Sequence, residues 1–226
     1  MKTGNVSRRK FIGAVGISTF AAGNLILPRY ANASPALMED RNINHIGPME
    51  GFTPQIGTLV SMLDWVSESV IGITKKLTVE QLDYLHDKDS NTIGSLMMHL
   101  VATEVIYQDL TFQDLKDFSK ENKDKWNVAM ELGPEAQKKI KGNKVEYYVE
   151  AMNEARAKTK SEMKKRDDKW LLSGETKEGD WNNYCKWFHV TEHFANHRGQ
   201  MTWYRKRFPK SGLFRPLPKP VYSSSV

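Results

Sequence analysis

The sequence predicts an all-α protein folded as a four-helix bundle. Three observations carry the expectation. Four long segments, at about 54–76, 91–114, 144–167 and 181–207, place apolar residues at helical spacing. No segment shows the period-two alternation of a half-buried strand. Each helical segment keeps its charged residues off one stripe, and burying four stripes against one another makes a bundle.

The chain begins with a basic leader. Lys2, Arg8, Arg9, Lys10 and Arg29 precede Ser34, and no Asp or Glu does. Ser7-Arg8-Arg9-Lys10-Phe11-Ile12 resembles the twin-arginine export motif. A weakly hydrophobic run, Phe11 to Leu27, follows, and then Ala31-Asn32-Ala33, an A-x-A cleavage signature. Residues 1–33 are therefore expected to be a twin-arginine signal peptide. It would deliver the protein to the periplasm or another extracytoplasmic space and leave no membrane anchor after cleavage. That route moves folded proteins, so a metal would be acquired in the cytoplasm.

Residues 34–51 are polar with two prolines and read as a loosely held arm. Phe52-Thr53-Pro54 reads as a helix start, with Thr53 as cap and Pro54 in the first turn. Ile56, Leu59, Val60, Leu63, Val66, Val70, Ile73 and Leu77 continue it. Thr78 to Leu82 reads as a short capped helical turn, and His86 to Ser90 as a loop. The segment 91–114 carries Ile93, Leu96, Met97, Leu100, Val101, Ile106 and Leu110, with His99 in its middle.

From Lys116 to Asn143 the chain is charged and broken by Gly133-Pro134 and Gly142, with a short helix expected at 134–141. This connection is too long for a minimal up-down bundle, which implies an excursion. Val145, Tyr148, Val149, Met152, Ala155, Thr159 and Met163 form the stripe of 144–167. A loop at 173–180 leads to 181–207, which Pro209 stops. The bundle is thus expected over 52–208, followed by a proline-rich tail, 209–226, with Pro216, Pro218 and Pro220.

Composition narrows the function. The chain has 33 Lys and Arg against 27 Asp and Glu; without the five basic residues of the leader, 28 face 27. A nearly neutral body lacks the field that phosphate binding requires, so no nucleic-acid partner is expected. No stretch after residue 30 approaches the roughly 20 apolar residues of a membrane span. Cys185 is the single cysteine, which excludes an internal disulfide; it reads as a small buried hydrophobe.

The chemistry gathers in the last long segment, in HVTEHFANHRGQM, His189 to Met201. His193 and His197 are four apart and share a helical face with Val190, Phe194 and Met201. One helix can give two imidazoles to one metal in this way. His189 lies a further turn back and drifts off that face. His99 is a candidate third ligand, since it also sits on an apolar face. The spacing leaves two readings open: hydrogen-bonded core histidines, or metal ligands. Phe194 stands where a zinc protease of the H-E-x-x-H type has its glutamate, so that general base is missing. His45 and His86 read as surface residues.

HVTEHFANHRGQM resembles the last-helix signature of the DinB/YfiT-like superfamily, H-v-x-E-H-x-x-x-H-R-G-Q. Thr92-Ile93-Gly94-Ser95-Leu96-Met97-Met98-His99-Leu100-Val101-Ala102-Thr103-Glu104 resembles the second-helix pattern of the same family, over a match of about 52–208. The resemblance implies a four-helix bundle, often a homodimer, holding a divalent metal, zinc or nickel, through His99, His193 and His197. It also implies thiol chemistry in some members, which transfer or isomerise with mycothiol or bacillithiol.

Around such a site, Gln200 and Tyr204 are expected to border the pocket. His189 is a possible neighbour of the ligands or an ordinary core histidine. Arg198 and Glu192 are expected to point away and brace neighbouring helices or a dimer contact. Glu104, about 140° around the helix from His99, reads as an ion-pair residue. The leading expectation is a metal-dependent enzyme, hydrolase or thiol-transferase, on an unknown small-molecule substrate. The alternative is a non-catalytic metal- or ligand-binding bundle.

Overall fold

A computed structural model of the chain describes residues 42–174 and 181–209. The expected signal peptide and most of the proline-rich tail lie outside the described residues. Among those described there are eight helices and no strand: α1 (Pro54–Thr74), α2 (Val79–Leu82), α3 (Ile93–Phe112), α4 (Lys120–Glu131), α5 (Gly133–Lys139), α6 (Val145–Met163), α7 (Asp168–Leu172) and α8 (Asn183–Arg205). The four long helices are α1, α3, α6 and α8. Both α1 and α3 pack against α6 and against α8, which closes a ring of four with α1 diagonal to α3. The core between them is made of the predicted stripes: Ile56, Leu59, Leu63 and Val70; Leu96, Met97 and Leu100; Tyr148, Met152 and Met163; Val190, Phe194 and Met201. Trp187, which was not predicted, joins them.

The first helix starts as the sequence predicts, but its cap comes from elsewhere. Thr53 occupies the cap position without capping; its hydroxyl donates to the Asp168 carboxylate. That carboxylate, on α7, accepts the backbone N–H groups of Gln55 (3.1 Å) and Ile56 (3.1 Å). A remote acid thus satisfies two of the orphan donors of α1 and complements its dipole. The Asp168 pKa lies below the usual carboxylate range: partial burial raises it, and the Thr53 hydroxyl and the two amides outweigh that.

Contrary to the sequence expectation, α1 reaches the length and apolarity of a membrane span by composition, with a window of mean hydropathy 1.3. Half of that window is buried in the bundle, where its apolar residues form the core.

Two expectations about connections change. The arm is held, not loose, where it is described. Gly47 N–H donates to Ser61 Oγ (3.1 Å), and Trp65 Nε1 donates to Asn44 Oδ1 (3.2 Å). The backbone of Met49 lies so close to α1 that a Cβ at Gly57 would come within 2.5 Å of it. The other change is α4, which the charged composition of 116–143 had hidden. Its apolar contribution is small, chiefly Trp126 and Ala129, yet it covers the outer side of α3.

That cover explains why α3 is buried continuously from Ile93 to Val105. A helix buried all round must satisfy its polar residues internally. Glu104 does so through a two-pronged pair with Arg156 of α6, 2.8 and 2.9 Å, and a 2.6 Å bond from the Thr159 hydroxyl. Asp109 accepts the Ser119 N–H (2.8 Å) and the Asn122 amide (2.8 Å), which pins the start of α4.

Candidate metal centre

His99 comes from the middle of α3, and His193 and His197 from successive turns of α8. Adjacency of α3 and α8 in the ring carries one set of rings onto the other. The three imidazoles meet through their Nε2 atoms: His99 to His193 at 3.0 Å, and His197 to His193 at 3.1 Å. His99 and His197 are buried and His193 is half-buried.

The opposite nitrogens show why these are not simply three paired core histidines. His99 Nδ1 lies 3.1 Å from the backbone carbonyl of Ala129, on α4. A carbonyl only accepts, so Nδ1 carries the proton and Nε2 presents a lone pair. His197 Nδ1 lies 3.0 Å from Gln200 Oε1 and is fixed in the same way. Two lone pairs therefore point at His193 Nε2, which has at most one proton to share between them. A cation at the common point satisfies all three.

The spacing fits such an ion. Metal–nitrogen bonds of about 2.0–2.1 Å set neighbouring ligand nitrogens about 3.0–3.4 Å apart. The three histidines thus form a group that can hold a metal ion.

Electrostatics favour neutral rings. Burial, aided by the facing His197, pushes His99 down to about 4. Burial and the neighbouring imidazoles push His193 down to about 3, and burial lowers His197. All three are therefore unprotonated at neutral pH, as metal binding requires.

The surrounding candidates divide. Gln200 bonds to His197 and, with Tyr204, Asn196, Gly199 and Trp203, lines a cavity of about 500 Å³. His189 is neither a buried core histidine nor part of the Nε2 cluster. Its Nδ1 pairs with Glu192 Oε1 at 2.8 Å, with 31% of its side chain exposed, and its ring stands 5.3 Å from that of His193. Glu192 thus braces its own helix rather than a neighbour. Arg198 lies over the Trp65 ring of α1, 5.2 Å from its centroid, as expected of a brace between helices.

Glu104 is the expected ion-pair residue, away from the metal ligands. Cys185 is exposed, contrary to the expectation of a buried hydrophobe, because it lies on the outer face of α8 with Phe188. His45 is exposed as expected. His86 is half-buried, with its ring edge-on to Trp203 at 4.9 Å.

The contact that sequence reasoning misses is Ala129. A backbone carbonyl leaves no side-chain signature, and the helix that carries it was unrecognised.

Comparison with known proteins agrees with this picture. A family model described as mycothiol-S-transferase matches residues 58–208. No curated protein matches the chain. Similar solved structures include an uncharacterised protein of Clostridium difficile 630, with a TM-score of 0.54, 17% identity, and coverage of 68% of this chain and 97% of that one. A Streptococcus pneumoniae protein gives 0.53 and 17%, covering 68% and 92%. A conserved protein of Enterococcus faecalis gives 0.52 and 16%, covering 66% and 93%. At this identity the likeness is one of fold.

Proposed function

The chain belongs to the mycothiol-S-transferase family of DinB/YfiT-like bundles, and on that premise we propose that it is a metal-dependent transferase acting on a low-molecular-weight thiol. The observation that carries the reading is the convergence of three neutral imidazoles on one point, with no carboxylate in the group among the described residues. The imidazole set suits zinc or nickel. Held there, such an ion offers open positions to a substrate and keeps a bound thiol deprotonated at neutral pH.

The chain's own residues supply orientation and shelter. Ala129 and Gln200 hold the His99 and His197 rings so that Nε2 faces the site. The buried sides of His99 and His197 exclude water, and half-buried His193 marks the side open to substrate.

The absence of a carboxylate base favours thiol transfer over hydrolysis. Base-assisted water attack, of the H-E-x-x-H kind, calls for a carboxylate beside the site. Glu192 is engaged by His189 and Glu104 by Arg156, and Phe194 occupies the position after the first ligand. A thiol bound as thiolate needs no such base.

The test is thiol consumption by the zinc- or nickel-loaded protein, using mycothiol, bacillithiol or glutathione with an alkylating electrophile. Turnover with one of the thiols is expected, and its loss in His193→Ala. Ester or amide hydrolysis with no thiol consumed would contradict it. The leader favours a second reading, a non-catalytic extracytoplasmic metal- or ligand-binding bundle, since such thiols are mainly cytosolic. Full metal loading with no turnover on any thiol would support that one. Either reading takes the mature chain as a homodimer without a nucleic-acid partner, which sedimentation and titration with a short DNA duplex can check.

A further inference from the structure

The Ala129 carbonyl is available to His99 because of how α4 ends. In a continuing helix this carbonyl would accept the N–H of Gly133, four residues on. The helix instead stops at Glu131, and the chain turns through Leu132 and Gly133 with φ of +57° and +69°. Such left-handed backbone is ordinary for glycine and rare for leucine, so packing around the corner must hold it. The Gly133 N–H donates to the side chain of Asn91, Oδ1, at 3.0 Å.

Asn91 immediately precedes Thr92, the capping residue of α3, the helix that carries His99. The stretch that follows the corner is tied to the segment between α2 and α3 twice more. Gln137 Nε2 donates to the Ser90 carbonyl (2.7 Å), and Gly142 N–H donates to Asp83 Oδ2 (2.8 Å).

We propose that Asn91 is a positioning residue for the metal centre: by taking the Gly133 N–H it reserves the Ala129 carbonyl for His99 Nδ1 and so aims His99 Nε2 at the other two imidazoles. This rests on the metal reading given above. It also assigns a purpose to the excursion between α3 and α6. The segment supplies an acceptor from outside the four-helix ring to a ligand inside it. Partners of this kind fix the tautomer and orientation of a ligating histidine, and their loss typically weakens metal binding about 10- to 100-fold.

The experiment compares wild type, Asn91→Ala and Asn91→Asp in the full chain. The aspartate keeps an acceptor for Gly133. One readout is the tautomer of His99 in metal-free protein, from its ring ¹⁵N shifts. The other is zinc affinity, by competition with a chelator. Asn91→Ala is expected to lose the Nδ1–H preference of His99, to leave His197 unchanged, and to bind zinc about 10- to 100-fold more weakly. Asn91→Asp is expected to match wild type in both.

A wild-type tautomer in Asn91→Ala overturns the proposal, whatever the affinity, because weaker binding would then come from general loosening. Unchanged zinc affinity in Asn91→Ala overturns it too. If Asn91→Ala does not fold, Asn91→Ser, whose hydroxyl is too short to reach Gly133, takes its place with the same criteria. If wild type itself binds no zinc, the metal reading fails, while the tautomer measurement still decides whether Asn91 sets the His99 ring.

Discussion

The three ligand histidines are held neutral by their surroundings, and this has a cost that pH exposes. In the unfolded chain each protonates near its ordinary value of 6.5, whereas in the metal-free fold His99 waits until about 4 and His193 until about 3. Between these limits the unfolded state binds more protons, so stability rises with pH across the window. Urea midpoints of metal-free protein should therefore fall as the pH drops from about 6.5 to about 4. A His99→Ala/His193→Ala/His197→Ala variant should show a flatter profile; an equally steep one would show that other groups are responsible. At the same scale, Gln200→Ala removes the acceptor of His197 Nδ1. Zinc affinity should drop about tenfold with little change in Tm, and an unchanged affinity would deny Gln200 its orienting part. His193, His197 and His99 were legible as a set because spacing on a helix is readable, His99 sits on an apolar face of its own helix, and the family pattern joins the three. The roles of Ala129 and Asn91 were not, since neither a carbonyl nor the φ of a corner is written in residue identity.

Elements were legible where they carry their own apolar stripe. The spans of α1, α3, α6 and α8 follow the predicted segments within a few residues, because each buries a continuous face. Helix α4 was missed for the opposite reason: Lys120 to Glu131 is mostly charged, and it is held by Asp109, Trp126 and the contact with His99. The short α7 was missed likewise, though it supplies the acid that caps α1. Asp168→Ala should destabilise the fold by about 1–2 kcal/mol in urea unfolding, as loss of a helix cap does; a change near zero would mean that water replaces the carboxylate at no cost. The Glu104–Arg156 pair, buried between α3 and α6, should matter more. Arg156→Ala leaves an unpaired carboxylate in the core and should cost about 3–5 kcal/mol. A Glu104→Leu/Arg156→Met double variant should recover much of that loss. A double variant no better than Arg156→Ala would show that the charges, rather than their being paired, hold these helices.

At the scale of the whole molecule, the fold brings two distant sequence motifs to one point: the ring order of the bundle sets α3 beside α8, some ninety residues apart in the chain. The basic leader predicts a place of work outside the cytoplasm. Cell fractionation of the full chain should find the mature protein outside the cytoplasm, and an Arg8→Lys/Arg9→Lys variant should stay inside; export of both would remove the twin-arginine reading. The central claim is independent of location. It is that His99, His193 and His197 together hold one divalent ion, and metal analysis of protein purified without a histidine tag tests it most directly. About one divalent ion per chain is expected in wild type, with loss of the metal in the triple alanine variant. An equal metal content in the two proteins would contradict the account.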